Sequence, residues 1–274
     1  MNRIIFSDNG TLIDLSNSLA SYYSAAKPFE VVGAEDYLYI GSRFPFNSKY
    51  IKLDTPSTTP VEISIQYWQE DWIDAVEVID ETEGLTKSGL IRFTPNKRFN
   101  WEMESTNYEG EIIPDLSSLV IYDLYWVKVS FSGNVDSGTA IKWVGDLFSN
   151  DNDLGSEFPD LNRSNVLTSF KSGKTDWEEQ HIAAARLLVD DLKDKGYIRG
   201  SEQILDTASV KGAAVQKCAE IIYRSFGTDY TDKADACHQE YNRRLERRFV
   251  TLDKNNNAIE DPFERSAPTG WLSR

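Results

Sequence analysis

The residues best able to do chemistry lie near the C-terminus, in DKNNNAIEDPFE (253–264). Asp253, Asn255 and Asn257 stand at positions 1, 3 and 5 of a calcium-loop spacing, with Glu264 at position 12. Oxygen ligands on alternate residues can wrap one hard cation, and a bidentate Glu closes its shell. Two positions depart from that pattern: Ala258 stands where glycine makes the sharp turn, and Glu260 replaces the hydrophobe of position 8. The other reading is a polar, Asx-rich turn beyond a helix. Calcium is the one cofactor the sequence suggests.

Just upstream, NRRLERRF (242–249) places Arg243, Arg244, Arg247 and Arg248 along the sides of a helix. Such a face is either solvated or a contact surface within or between subunits. Aromatic residues suited to base stacking are not interleaved there, which argues against nucleic acid.

Elsewhere the sequence offers little catalysis, and a non-enzyme is expected. The carboxylates Asp74, Glu77, Asp80 and Glu81 could form an acid/base pair, but an acidic half produces such clusters by composition. No G-x-S-x-G, P-loop or H-E-x-x-H motif occurs. Cys218 and Cys237 have no C-x-x-C partner and fall in helical patterns as small buried hydrophobes. His181 lies on an apolar stripe and His238 on another helix, so a zinc site is not supported. Tyr67, Trp68 and Trp72 could make an aromatic sugar platform or belong to a β core.

The elements that must position these residues change character along the chain. From residue 29 to about 147 the period is two: YLYIGS, KYIKL, EISIQYW, GLIRFTP, LYWVKVSF and AIKWVGDLF are short β-branched and aromatic runs between turns. That pattern predicts an antiparallel sandwich or jelly roll over 1–150. The Asn-, Asp- and Ser-rich stretch 151–165 reads as a linker. From 166 to 252 the period becomes 3.6, predicting a small bundle of three or four helices. Its first long helix starts at a Thr175/Glu178 capping box and carries Trp177, His181, Ala184, Leu188 and Leu192 on one stripe. The second, about 207–226, carries Val210, Ala214, Cys218, Ile221 and Ile222. The third, about 231–249, carries Ala234, Cys237, Tyr241, Leu245 and Phe249, and a short helix near 163–171 is a fourth member. Residues 253–274 form a tail. The fold class expected is therefore α+β in two domains.

The 274 residues are 40% apolar and 12% aromatic, enough to bury two cores. All of the net charge of −15 sits in residues 1–160, with 11 Lys and Arg against 26 Asp and Glu; residues 161–274 carry 18 of each. The acidic half is a poor surface for gripping DNA or anionic lipid, although DNA could pass it without being held. No apolar run is long enough for a membrane span, and the start lacks the features of a signal peptide, so assembly in a cytoplasm is expected.

Two resemblances have residues enough to state. EDYLYIGSRFPFNSKYIKLDT, ISIQYW, DWIDAVEVIDETEGLTKSGLIRFTP and LYWVKVSFSG, across 30–145, resemble the discoidin-like, galactose-binding-type β-sandwiches of tailed-phage virion proteins. WEEQHIAAARLLVDDLKDKGYI, QILDTASVKGAAVQKCAEIIYRSFG and YTDKADACHQEYNRRLERRF, across 165–250, resemble the head–tail connector (adaptor, or head-completion) proteins of tailed bacteriophages. Those are helical bundles with an Ala-rich middle helix and a Tyr-bearing third helix. The resemblance implies a structural virion protein in a homo-oligomeric ring, commonly a dodecamer, between the portal and the tail or neck proteins. It also implies that the third helix and the tail dock on the portal, and it brings no catalytic residues. The alternative of a different class is a tail-tip or baseplate β-sandwich that binds a receptor or glycan.

Overall fold

The computed structural model describes residues 2–98, 100–247, 250–251, 253, 257–259 and 265–266. These divide into two compact units: one runs to Gly145 and takes in 257–259, and the other begins at Asp146. The class is α+β, with antiparallel sheets in the N-terminal part and helices mostly after them. Among the described residues no helix is long and apolar enough to cross a membrane.

The first unit opens with β1 (Arg3–Asp8) and β2 (Thr11–Asp14), a hairpin turning at Asn9 and Gly10, both at positive φ (45° and 80°). An Asn-Gly pair adopts that mirror-type turn most readily, and the turn matches the twist of the strands. Helix α1 (Ser16–Leu19) and β3 (Lys27–Pro28) lead to β4 (Tyr37–Ser42), β5 (Ser48–Thr55) and β6 (Ile63–Gln69). Then come β7 (Asp71–Asp74), β8 (Glu77–Asp80), β9 (Gly89–Thr94) and three two-residue strands: β10 (Met103–Glu104), β11 (Asn107–Tyr108) and β12 (Glu111–Ile112). Strands β13 (Leu124–Phe131) and β14 (Ala140–Gly145) close the unit.

One sheet runs β2-β1-β4-β13-β6-β7, with β10 on β13; the other runs β3-β14-β5-β9-β8. Alternation places Leu38, Ile40, Ile65, Tyr67, Val127 and Val129 on one face of the first sheet, all buried. Trp101 joins the two sheets: its ring lies 5.4 Å from Tyr67, 6.0 Å from Tyr125 and 6.0 Å from Phe93 of β9. The opposite face of the first sheet is buried as well, where Ile5, Tyr39, Trp68 and Trp126 meet Ile113 and Leu116 from the segment between β10 and β13. Gly41 makes this possible, because a Cβ there would stand 2.8 Å from the Trp126 ring.

The second unit holds α2 (Asp151–Glu157), α3 (Ser164–Phe170), α4 (Glu178–Asp194), α5 (Thr207–Ser225) and α6 (Thr231–Arg247). Helix α5 packs on both α4 and α6. The predicted stripes are its core: Trp177, His181, Ala184, Leu188 and Leu192 of α4, Val210, Ala214, Cys218 and Ile222 of α5, and Ala234, Cys237, Tyr241 and Leu245 of α6 are all buried. Ile221 is only partly buried, at the edge of this core. Phe249 lies outside the described residues.

Two expectations are corrected. The stretch 151–165 is not a linker: α2 is capped reciprocally by Asn150 and Asp153, and Leu154 and Leu161 are buried with Trp177, Val215 and Ile222. The start of α4 is not a Thr175/Glu178 box either. Trp177 is the N-cap; its N–H reaches the Asp151 carboxylate at 3.1 and 3.2 Å, and Asp176 accepts the Glu178 N–H. The neighbouring Asp176 carboxylate thus takes the N–H expected for the Thr175 hydroxyl, and the distant Asp151 holds the N-cap residue. In the segment 253–274, Arg265–Ser266 pairs with Val250–Thr251; most of the rest lies outside the described residues.

Candidate functional site

The arginine face of α6 is built from three helices. Leu245 and Tyr241 turn into the core, which sets Arg244 toward α2 and α5 and leaves Arg243 at the rim. Arg244 Nη1 and Nη2 donate to the two carboxylate oxygens of Glu157 at 2.8 and 2.9 Å. Its Nε donates to Glu240 at 2.8 Å and its Nη1 also to the Gly212 carbonyl at 2.9 Å. Gly212 admits the guanidinium, since a Cβ there would lie 2.7 Å from Nη1. Arg243 donates through Nε to Glu240 at 2.5 Å, and its side chain is 49% exposed against 21% for Arg244. Hydrogen bonds from Arg243 and then Arg244 pull the Glu240 carboxyl down to about 2. Beside them, Lys211 pairs with Asp153 at 3.1 Å, and the cleft these groups line measures about 600 Å³.

Among the described side chains of the four arginines predicted as an interface, then, Arg244 is engaged within its own chain and Arg243 is half-exposed beside Glu240. Arg247 ends the helix, and nothing of its side chain is described; Arg248 lies outside the described residues.

The calcium loop is only partly described, because Asn255 and Glu264 fall outside. Asp253 is buried, with its N–H on the Gln203 carbonyl at 2.9 Å and its own carbonyl accepting from Gln203 Nε2 at 3.0 Å. Asn257 Oδ1 accepts the Ile259 N–H at 2.8 Å, an Asx turn, and Ala258 takes the left-handed conformation at φ 54°. Among the described residues no three His, Cys, Asp or Glu side chains gather in a way that could hold a metal.

One constellation has the outline of nucleophilic catalysis. Ser149 Oγ lies 2.8 Å from His181 Nδ1, and Asp151 Oδ1 lies 3.2 Å from Nε2. That carboxylate is off the ring's N–H direction, so it is a Coulombic neighbour of Nε2 rather than its hydrogen-bond partner. Ser149 is 5% exposed and His181 1%, with Asp151 holding the Trp177 N–H. A substrate carbonyl has no approach to the hydroxyl, and the group ties the entry of α2 to the entry of α4. The cysteines are likewise quiet: burial pushes the Cys218 thiol well up and that of Cys237 up to about 11.

Other singled-out residues are placed apart. Asp74 accepts from Gln66 across β6–β7, Asp80 closes a turn by accepting the Thr82 and Gly84 N–H groups, and Glu81 pairs with Arg92. Tyr67 and Trp68 are buried on opposite faces of β6, and Trp72 donates to Asp115 at 3.0 Å. These positions do not compose a sugar platform.

Two charged sites were missed in the sequence. On α5, Glu220 is 7% exposed and accepts from Lys217 (3.1 Å), Arg224 (2.9 Å) and His238 (3.1 Å). Burial raises its carboxyl, but the hydrogen bonds from Arg224, His238 and Lys217 outweigh it and hold the group below the usual range. The Lys217 and Arg224 spacings of three and four were readable on one helix. In the first sheet, Lys128 Nζ sits 4.0 Å from the Tyr37 ring centroid and 2.8 Å from Asp115, which also accepts from Tyr39 Oη at 3.0 Å. Nothing local in the sequence announces that cluster.

The sequence matches no protein-family model, and no curated protein matches it.

Proposed function

We propose that the chain is a structural virion protein of a tailed phage, a ring-forming head-to-tail connector in the neck between portal and tail. In this reading the first unit is a jelly-roll, discoidin-like β-sandwich and the second a connector-type bundle. The protein would assemble in the host cytoplasm as a homo-oligomeric ring, a dodecamer, and contact portal and tail or neck proteins while DNA passes unheld.

The observation that carries the reading is the small-residue face of α5. Gly212, Ala213, Ala214 and Ala219 are buried where α5 packs on α4 and α6, and Tyr241 of α6 is buried with its hydroxyl on Asp191 of α4. This supports the Ala-rich middle helix and Tyr-bearing third helix of the resemblance. Arg243 supplies an exposed cation on the third helix, and a closed ring would repeat each of its contacts at every interface. The tail-tip or baseplate glycan-binding alternative loses support where Tyr67 and Trp68 are buried.

Negative-stain electron microscopy of the purified full chain tests this. Closed rings are expected, weakened by Arg243→Glu with the circular dichroism unchanged. Monomers at every concentration, alone and with purified portal, would overturn the connector reading.

A further inference from the structure

Between β10 and β13 the chain leaves the sheet and folds into a small ribbon. The Thr106 N–H bonds the Ile121 carbonyl at 2.9 Å, the Ile113 N–H bonds Thr106 at 3.1 Å, and Thr106 Oγ1 reaches Leu119 at 2.7 Å. Thr106, Ile113 and Leu116 are fully buried, and the latter two seal the face made by Tyr39, Trp68 and Trp126. Leu119 and Ile121 pack against the same face, half-buried, and the ribbon's other large apolar side chains take no part in it. Met103, Tyr108, Ile112, Val120 and Tyr122 are each between 44% and 57% exposed, and the rings of Tyr108 and Tyr122 stand edge to face at 4.9 Å. Apolar groups concentrated on one exposed element and unused by its own core mark an interaction surface.

The charge around them states what kind of partner fits. Residues 99–127 contain Glu102, Glu104, Glu109, Glu111 and Asp123 besides Asp115, which Lys128 neutralises at 2.8 Å, and no Lys or Arg. Several are fixed by neutral donors: Glu104 accepts from the Trp68 indole, Glu111 from the Ser105 N–H and Asp123 from the Ser105 hydroxyl. Such donors hold the carboxylates in place without cancelling their charge. The field repels nucleic acid and anionic lipid. An isologous contact with a second copy would set these carboxylates against themselves.

We infer that the 103–123 ribbon is a docking surface for a partner protein whose contact face carries apolar or aromatic side chains flanked by Lys or Arg. The inference goes beyond the connector reading and does not depend on it. Apolar contact supplies the affinity, and the carboxylates supply orientation, on-rate and rejection of acidic competitors.

The test pans a random dodecapeptide library on the full chain. Recovered peptides are expected to pair aromatic or aliphatic residues with Lys or Arg. Their synthetic copies should bind the double variant Ile112→Ser/Tyr122→Ser about ten-fold more weakly than wild type. They should also lose affinity with added salt and on Glu102→Gln/Glu109→Gln, which leaves the apolar groups intact and serves as an independent readout if the first variant fails to fold. Overturning results are recovery of no binding peptide, peptides without Lys or Arg, or peptides indifferent to both variants. Self-association in sedimentation that Ile112→Ser/Tyr122→Ser abolishes would also overturn it, making a second copy the occupant.

Discussion

Arg244 and Glu157, 87 residues apart in the chain, form a two-point ion pair at 2.8 and 2.9 Å between α6 and α2. The fork of the guanidinium matches the carboxylate, so α2 is fastened to α6 in one geometry. Arg244→Ala should therefore lower the stability of the helical unit by about 1–3 kcal/mol, partial exposure keeping it below the cost of a fully buried pair. Arg244→Lys keeps the charge but not the fork and should recover only part of this. Chemical denaturation of the full chain followed by circular dichroism measures both. Loss equal to that of Arg243→Ala would show that the fork contributes nothing.

Glu220 makes stability depend on pH. Its folded carboxyl is held below the ordinary glutamate range, so it contributes stability that is present above that range and is lost as pH falls through the lowered value. Glu220→Gln removes the contribution and leaves Lys217 without its carboxylate, costing about 2 kcal/mol near neutrality. The variant's melting temperature should also fall less steeply than wild type between about pH 5 and pH 3. Parallel curves would assign the acid sensitivity to other carboxylates.

Gly41 and Trp126 make a steric prediction in the first unit. Gly41→Ala puts a methyl carbon 2.8 Å from the ring of the fully buried Trp126 and 2.9 Å from Leu124 Cδ1. Overpacking of this kind costs about 1–3 kcal/mol. Tryptophan emission during denaturation should report earlier unfolding of the β unit, while helical ellipticity stays unchanged.

The loop at 253–264 should not respond to calcium. Asn257 already uses its side-chain oxygen on the Ile259 N–H, and among the described residues no three His, Cys, Asp or Glu side chains gather as a metal site. Melting with chelator and with millimolar calcium should coincide. A site with micromolar affinity would instead add about 3–4 kcal/mol at a thousand-fold excess, and a shift removed by Asp253→Ala and by Glu264→Gln would restore the cation loop.

Why some of this was legible follows from how far apart the interacting residues lie. The strand pattern is local, so LYWVKVSF and its neighbours could be read from period alone, and the Asn9–Gly10 turn carries its own signal. Helices α4, α5 and α6 announce themselves through apolar stripes such as Val210, Ala214 and Cys218. Helix α2 hides, since its seven residues bury a single leucine and include Gly155. The readable clue was Asn150 followed by Asp153, a capping pair without the usual Ser or Thr. No local pattern could reveal that Glu157 meets Arg244, that Asp151 caps α4, or that Lys128 lies on Tyr37, because each is set by packing between distant segments. The same cause left Arg244 open between solvent, a contact within the subunit and one between subunits, because its partner Glu157 was invisible.

That hidden helix gives the sharpest remaining prediction. A flexible linker at 151–165 would be the first place a protease cuts in the native chain. Here Leu154 and Leu161 are buried in the helical core, the Trp177 indole donates to the Leu161 carbonyl at 3.0 Å, and Asp151 holds the Trp177 N–H. Cleavage requires backbone to leave the surface and enter the protease cleft, which would break all of these contacts at once, so the native chain should resist cutting between 151 and 167. Leu154→Ala removes the one buried side chain of α2 and leaves a cavity, costing about 2–4 kcal/mol. The loss should concentrate in this segment, because α4, α5 and α6 keep their own shared core in Phe148, Leu188, Val210 and Tyr241. Limited proteolysis read by mass spectrometry should then find a new cut within 151–167 in Leu154→Ala while far-ultraviolet ellipticity stays near wild type. Rapid cutting there in the wild type would return the segment to a linker and detach Glu157 from Arg244.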